Sequence, residues 1–168
     1  MEFSEVIRKR TAVRKFSSQI IEKEKLDMVL EAWRLAPTAK NLQPIKIYVV
    51  KSFEGLEKID KATPCRYWAP IVLMICWDKD TAYNKENYST YEMDACIATT
   101  HMMLEATNQW LGNIWIEKFD WNILINEFVI PNNLTPIALL PIGYKADDCP
   151  ENPNHNIRKN IDKLVEYK

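Results

Sequence analysis

The chain has 168 residues, 47% of them hydrophobic and 27% charged, with a formal net charge of -1. The length suits one domain spanning residues 1–168, the balance is that of a soluble globular protein, and the near-neutral charge excludes a global basic field for nucleic acid or an anionic membrane. The longest apolar run, residues 69–77, is about half a bilayer span and the charged N-terminus is no signal peptide, so a cytoplasmic protein without a membrane partner is expected.

Four cysteines, Cys65, Cys76, Cys96 and Cys149, are widely spaced with no C-x-x-C pair. That argues against zinc and against a secreted disulfide scaffold, and Cys76 and Cys96 read as core thiols. With only three glycines, Gly55, Gly112 and Gly143, neither a G-x-G-x-x-G turn nor a P-loop can be written. A bound nucleotide or phosphate must then be held by side chains and non-glycine amides.

In chain order, Phe3, Val6 and Ile7 sit at helical spacing in a short first helix, with Arg8, Lys9 and Arg10 at its end, where cations suit the dipole. The next residues, Thr11-Ala12-Val13-Arg14-Lys15-Phe16, read as extended, which places Arg10 and Arg14 on one side. Paired guanidiniums suit a phosphate, and a solvated basic face is the plainer alternative. Ile21, Leu26, Val29, Leu30 and Trp33 form the stripe of a second helix over residues 22–35.

The stretch Ala36-Pro37-Thr38-Ala39-Lys40-Asn41-Leu42-Gln43-Pro44 concentrates small residues, amides and two prolines. Pro37 and Pro44 fix their own φ and disfavour helix before them, so a rigid, extended loop is expected to hold Thr38, Asn41 and Gln43. It is either a ligand loop or an ordinary helix-to-strand connection. A strand over 45–50, a short helix over 53–61 and a second loop over 62–70 follow. Residues 71–77 are continuously apolar, as in a central strand covered on both faces. A polar loop over 78–89, with Tyr83 and Tyr88 its aromatics, is either a lid or an inert excursion.

The longest helix is expected over 90–109, with Met93, Ile97, Thr100, Met103, Leu104 and Thr107 at helical spacing. His101 within it reads as a satisfied core or interface histidine rather than a base. Gly112 should end that helix and open a strand over 113–119; Asp120 should cap a short helix through 128. A buried strand over 135–144 tolerates Pro136 and Pro141 only near its ends or at an edge. Residues 145–156 offer no core of their own, and 158–165 close the chain with a basic start and an amphipathic turn. The interleaving gives an α+β fold, a sheet wrapped by helices.

Four stretches then carry a resemblance to the FMN-dependent nitroreductase family over nearly the whole chain: Lys9-Arg10-Thr11-Ala12-Val13-Arg14-Lys15-Phe16 is similar to its R-x-S-x-R/K-x-F, and the 36–44 loop to its A-P-S-x-x-N-x-Q-P. Trp115-Ile116-Glu117-Lys118-Phe119-Asp120 resembles P-I-E-G-F-D, and Leu140-Pro141-Ile142-Gly143-Tyr144 followed by Arg158 and Leu164-Val165-Glu166-Tyr167 resembles its close. The resemblance implies a short single-domain member with a mixed or antiparallel central sheet, two cofactors being held at the interface of an intertwined homodimer. It implies bound FMN, served by Arg10, Thr11, Ala12, Arg14 and Arg158 in one subunit and by Pro37, Thr38, Ala39 and Asn41 of the second copy. The backbone of Ile116, Glu117 and Lys118 is then expected beside flavin N5 and O4, setting its potential by geometry.

The activity so implied is ping-pong oxidoreduction: NAD(P)H gives hydride to flavin N5 and leaves, and a nitro compound, quinone or similar small electron-poor acceptor is reduced in the same place. No acid or base side chain is needed for that transfer, so no catalytic residue is assigned. A flavin-binding or storage homodimer with little turnover is the alternative. Departures from the family pattern are Ala12 for serine, Lys118 for glycine, Trp110 where many relatives have glycine, and Asn156 where a lysine is common. Lys40 borders the implied substrate space, where a cation favours anionic acceptors or the nicotinamide phosphates.

Overall fold

A computed structural model describes residues 1–85 and 88–168, the side chains at 85 and 88 excepted. Helix α1 (Phe3–Lys9) has Glu5 in its first turn and Arg8 and Lys9 in its last, as the macrodipole favours. Of its expected stripe only Val6 is buried; Phe3 and Ile7 are exposed. Helix α2 (Lys23–Arg34) matches the expected second helix and buries Leu26 and Val29. Strand β1 (Ile45–Val50) leads to helix α3 (Phe53–Ala62), where the Ser52 hydroxyl caps the first turn by accepting from the Gly55 amide at 3.1 Å. Strand β2 (Ile71–Asp78) follows, then a two-stranded ladder, β3 (Asn84–Lys85) with β4 (Tyr88–Ser89). The lid reading of 78–89 falls in part on residues 86 and 87 and the Tyr88 side chain, which lie outside the described residues.

Helix α4 (Tyr91–Asn108), strand β5 (Gly112–Asn113), helix α5 (Trp121–Phe128) and strand β6 (Leu134–Gly143) complete the order. Asp120 caps α5 as expected, its Oδ1 accepting from the amides of Asn122 at 2.9 Å and Ile123 at 3.2 Å. The sheet runs β1-β2-β6-β5 with antiparallel neighbours, and Ala12 adds a parallel bridge to Asn113. Both faces of β2 are covered. Val72, Met74 and Cys76 meet Ile59 and Leu124 on the α3/α5 side, while Leu73 and Ile75 meet Val29, Ala98 and Met102 on the α2/α4 side. The result is helices on both faces of one sheet. Each such fully buried aliphatic contributes about 1.5–3 kcal/mol.

Several expectations need correction. The face of α4 that packs on the sheet is Ala95, Ala98, Thr99, Met102 and Ala106, whereas Met93, Ile97 and Thr100 face outward. The helix is apolar on both sides, so spacing alone could not choose the inner one: the small residues Ala95, Ala98, Thr99 and Ala106 let it approach the sheet, with Met102 buried on the same face. Gly112 does not end α4. The reversal is made by Trp110 at φ 62, with the Leu111 amide donating to the Ala106 carbonyl at 2.8 Å, and Gly112 is instead where Val13 packs so closely that an added Cβ would lie 2.8 Å from it.

Pro136 and Pro141 lie near the two ends of β6, as expected, each third from an end, although β6 is an interior strand. Pro136 adjoins a register shift at Ile75/Cys76. Pro141 turns its missing donor toward the short β5 side, where only its carbonyl is used, accepting from Ile114 at 3.3 Å. Accordingly the strand expected over 113–119 is reduced to β5 and a bridge between Ile116 and Leu139. Cys96 is exposed rather than core; Cys76 is buried, and burial pushes its thiol up to about 12. Among the described residues no helix is long and apolar enough to cross a membrane.

Candidate functional site

Arg10 closes α1, its amide donating to the Val6 carbonyl at 2.9 Å, and the chain leaves the helix in extended form. Residues 11–16 then run beside β5: the Val13 amide donates to Asn113 at 3.0 Å and the Phe16 amide to Tyr67 at 3.2 Å, with Val13 and Phe16 buried. Alternation therefore turns Ala12 and Arg14 away from the core. Arg10 is half-buried, and burial together with the neighbouring Arg158 lowers its pKa from the ordinary guanidinium value. Among the described residues Arg158 donates only to its neighbour, the Ile157 carbonyl, at 2.7 Å. Two guanidiniums are thus brought together with no carboxylate from the described residues paired to either. Such uncompensated like charge is the electrostatic form of an anion site.

Arg14 reaches the second loop. It lies close enough to Tyr67 to act on its phenol: burial and Cys65 raise the pKa of that group, and the Arg14 charge opposes the rise. Tyr67 and Trp68 both take left-handed backbone, φ 55 and 61, in a turn braced by Arg66, which donates to the Ala69 carbonyl at 3.0 Å and pairs with Asp60. The same loop holds the 116–118 stretch, since the Thr63 hydroxyl donates to the Lys118 carbonyl at 2.6 Å and the Asp120 amide to Ala62 at 2.9 Å. Ile116 exchanges backbone bonds with Leu139 at 2.9 and 3.0 Å. No described residue accepts from the amides of Glu117 or Lys118, and both residues are exposed.

A cavity of about 190 Å³ adjoins Thr11 and Ala12, walled by Lys9, Lys145, His155 and Asn156. A larger one, about 650 Å³, opens on the other side of Glu117 between Trp77, Tyr91, Trp115 and Trp121. There the Trp115 indole N–H is already committed to the Glu117 carboxylate at 2.9 Å.

The 36–44 loop differs from its expected extended path. Ala39–Asn41 is a single 3-10 turn, and Lys40, Asn41 and Gln43 are left-handed at φ 51, 56 and 53. Local bonds impose this: the Gln43 amide donates to the Thr38 hydroxyl at 3.0 Å, and its side-chain amide to the Asn41 carbonyl at 3.2 Å. The loop is anchored to α4, where Asp94 Oδ1 accepts from the Ala39 amide at 2.9 Å, and Lys40 Nζ lies 4.5 Å from the Tyr83 ring centroid. Among the described residues no hydrogen bond, ion pair or ring contact joins residues 37–41 to Arg10, Arg14 or Arg158. Sequence reasoning therefore found two groups that do not meet within one chain. It missed Thr63, Cys65, Tyr67 and Asp94, none of which stands in a spacing that marks it.

The sequence model of the Nitroreductase family matches residues 7–68. A nitroreductase family protein of known structure from Clostridium difficile 630 is 35% identical, with a TM-score of 0.92 over 100% of this chain and 99% of its own. The Bacillus subtilis strain 168 protein FMN reductase (NAD(P)H) is 27% identical over 89% of this chain and 70% of its own. A protein from Exiguobacterium sibiricum 255-15, crystallised in complex with FMN, shares the fold at a TM-score of 0.85 and 20% identity over 100% of this chain and 98% of its own. The fold is that of a helix-wrapped antiparallel sheet with a cationic site at its edge. The chain belongs to the nitroreductase family.

Proposed function

We propose that the chain is an FMN-dependent NAD(P)H oxidoreductase of nitro compounds, quinones or related small electron-poor acceptors. The observation that carries this reading is Arg10 within electrostatic reach of Arg158, with no carboxylate from the described residues paired to either; Arg14 near Tyr67 and the exposed backbone of Glu117 and Lys118 add to it. Residues 1–168 act as one flavin-binding domain, and four free cysteines suit a reducing cytoplasm.

The residues present fit the cofactor. Arg10 and Arg158 receive the phosphate, with Thr11 and the Ala12 backbone alongside. Arg14, near Tyr67, would offset negative charge on the flavin edge, and the Glu117 and Lys118 amides would donate to the ring as fixed dipoles. When bound, FMN supplies the two-electron chemistry by which hydride from NAD(P)H reaches the acceptor in a ping-pong cycle. The chain's contribution is positioning and charge, with no side chain required to move a proton.

The working form is a homodimer in which Pro37, Thr38, Ala39 and Asn41 complete the cofactor site of the second copy. Two exposed surfaces support it: the outward face of α4, with Ile97 and Thr100, and the tail, where Ile157, Ile161 and Leu164 are 68%, 68% and 64% exposed. Steady-state kinetics test the cycle. Varying NAD(P)H at several fixed concentrations of a nitroaromatic should give parallel double-reciprocal lines, and intersecting lines would contradict the ping-pong order.

A further inference from the structure

Asp94 is 2% exposed, and both of its carboxylate oxygens are engaged: Oδ1 accepts from the Ala39 amide at 2.9 Å and Oδ2 from the Thr90 hydroxyl at 2.7 Å. No cation among the described residues pairs with it; its compensation is those donors and its place in the first turn of α4, where the helix dipole favours a negative charge. The Thr90 hydroxyl caps no α4 amide and is turned to Asp94 instead. The Ala39 bond spans 55 positions of sequence and, among the described residues, is the only hydrogen bond between residues 37–41 and a helix or strand of the sheet-and-helix body. It meets the loop where Lys40 and Asn41 hold left-handed backbone, so it determines where a strained turn is presented. The neighbouring Ile97 face of α4 points outward, so the helix that carries Asp94 inside carries the proposed dimer surface outside.

We propose that Asp94 is a positioning residue that fixes residues 38–41 at the height needed to contact FMN in the second copy of this chain, coupling cofactor retention in one subunit to α4 of the other. This rests on the shared-site homodimer described under the proposed function. Asp94 touches no substrate or cofactor; it acts through Ala39. Its effect must therefore be felt in trans, which distinguishes it from a carboxylate that merely stabilises its own subunit.

The test measures FMN affinity by quenching of flavin fluorescence, with the dimer followed by size-exclusion chromatography. Asp94→Ala should remain dimeric and bind FMN roughly tenfold or more weakly, the scale of losing one bond to a charged group, and Asp94→Asn, whose amide oxygen still accepts from Ala39, should recover most of it. Differently tagged Asp94→Ala and Arg14→Ala subunits are then co-expressed and the mixed dimer isolated. One of its two sites combines an intact Arg14 with an intact loop, so one tight FMN site per mixed dimer is expected where each parent has none. Should Asp94→Ala be insoluble, Ala39→Pro, which deletes the amide donor and leaves the carboxylate, replaces it with the same expected result. A mixed dimer no tighter than its parents, or Asp94→Ala equal to wild type, overturns the proposal. Wild-type protein that takes up no FMN overturns the parent reading and this one with it.

Discussion

At the scale of single residues, the site is a matter of unpaired charge. Arg10 is half-buried beside Arg158, and an opposed pair of guanidiniums is stabilised once an anion enters. Arg10→Ala and Arg14→Ala should each weaken FMN binding by roughly tenfold or more, the order expected for a bond to a charged group; unchanged affinity in both variants refutes their assignment. Lys40 stands apart, its ammonium over the Tyr83 ring. Replacing it by alanine should raise KM for anionic acceptors more than for neutral ones, and equal effects on both would remove it from the acceptor side. Cys76 and Cys96 separate by burial. Because the folded Cys76 thiol is pushed up to about 12 from an ordinary 9, the unfolded chain loses that proton first as pH rises. Its contribution is fully present below 9 and is lost above it, so melting temperature should fall from pH 9 upward, with a shallower fall in Cys76→Ala.

At the scale of elements, the sequence was most legible where one property was one-sided. The all-apolar 71–77 run, the Asp120 cap and the α2 stripe each admit one arrangement, and all three are found. Helix α4 is apolar all round, and only its packing partner, the sheet, selects the small-residue face. The left-handed positions were also illegible, because Lys40, Asn41, Gln43, Tyr67, Trp110 and Val129 take, without being glycine, a geometry usually given to it. Val129 is the clearest case: a β-branched residue at φ 50 and ψ 50 ending α5, 84% exposed, with little packing to lose. Val129→Gly should stabilise the fold by about 1 kcal/mol, raising the melting temperature by roughly 2–4 °C. By contrast Leu139→Ala, in the middle of β6 and 1% exposed, should cost about 2–5 kcal/mol in a denaturant titration.

At the scale of the molecule, the site falls into two halves that the single chain keeps apart, Arg10, Arg14, Arg158 and the 116–118 amides on one side and the Asp94-anchored loop on the other. That division was visible in the motifs, but its cause was not, since Asp94 and Thr63 stand in no recognisable pattern. Surface ion pairs add a pH dependence of their own: Tyr144 holds the Glu22 carboxyl below its usual range, as Arg34 does for Glu31 and Lys15 for Asp148. For such depressed carboxylates the stabilisation is present above their unfolded values and is lost as pH falls through the folded ones, so acid should lower the melting temperature, less so at high salt.

The central claim is that this chain holds FMN and reduces it with a nicotinamide donor. Anaerobic addition of NADH or NADPH to the purified protein, followed by its visible flavin absorption, tests it most directly. The account predicts rapid bleaching and recovery of the colour when a nitroaromatic is added. A colourless protein that cannot be loaded with FMN would contradict it, and so would a yellow one that neither donor bleaches, which would describe a flavin store rather than an enzyme.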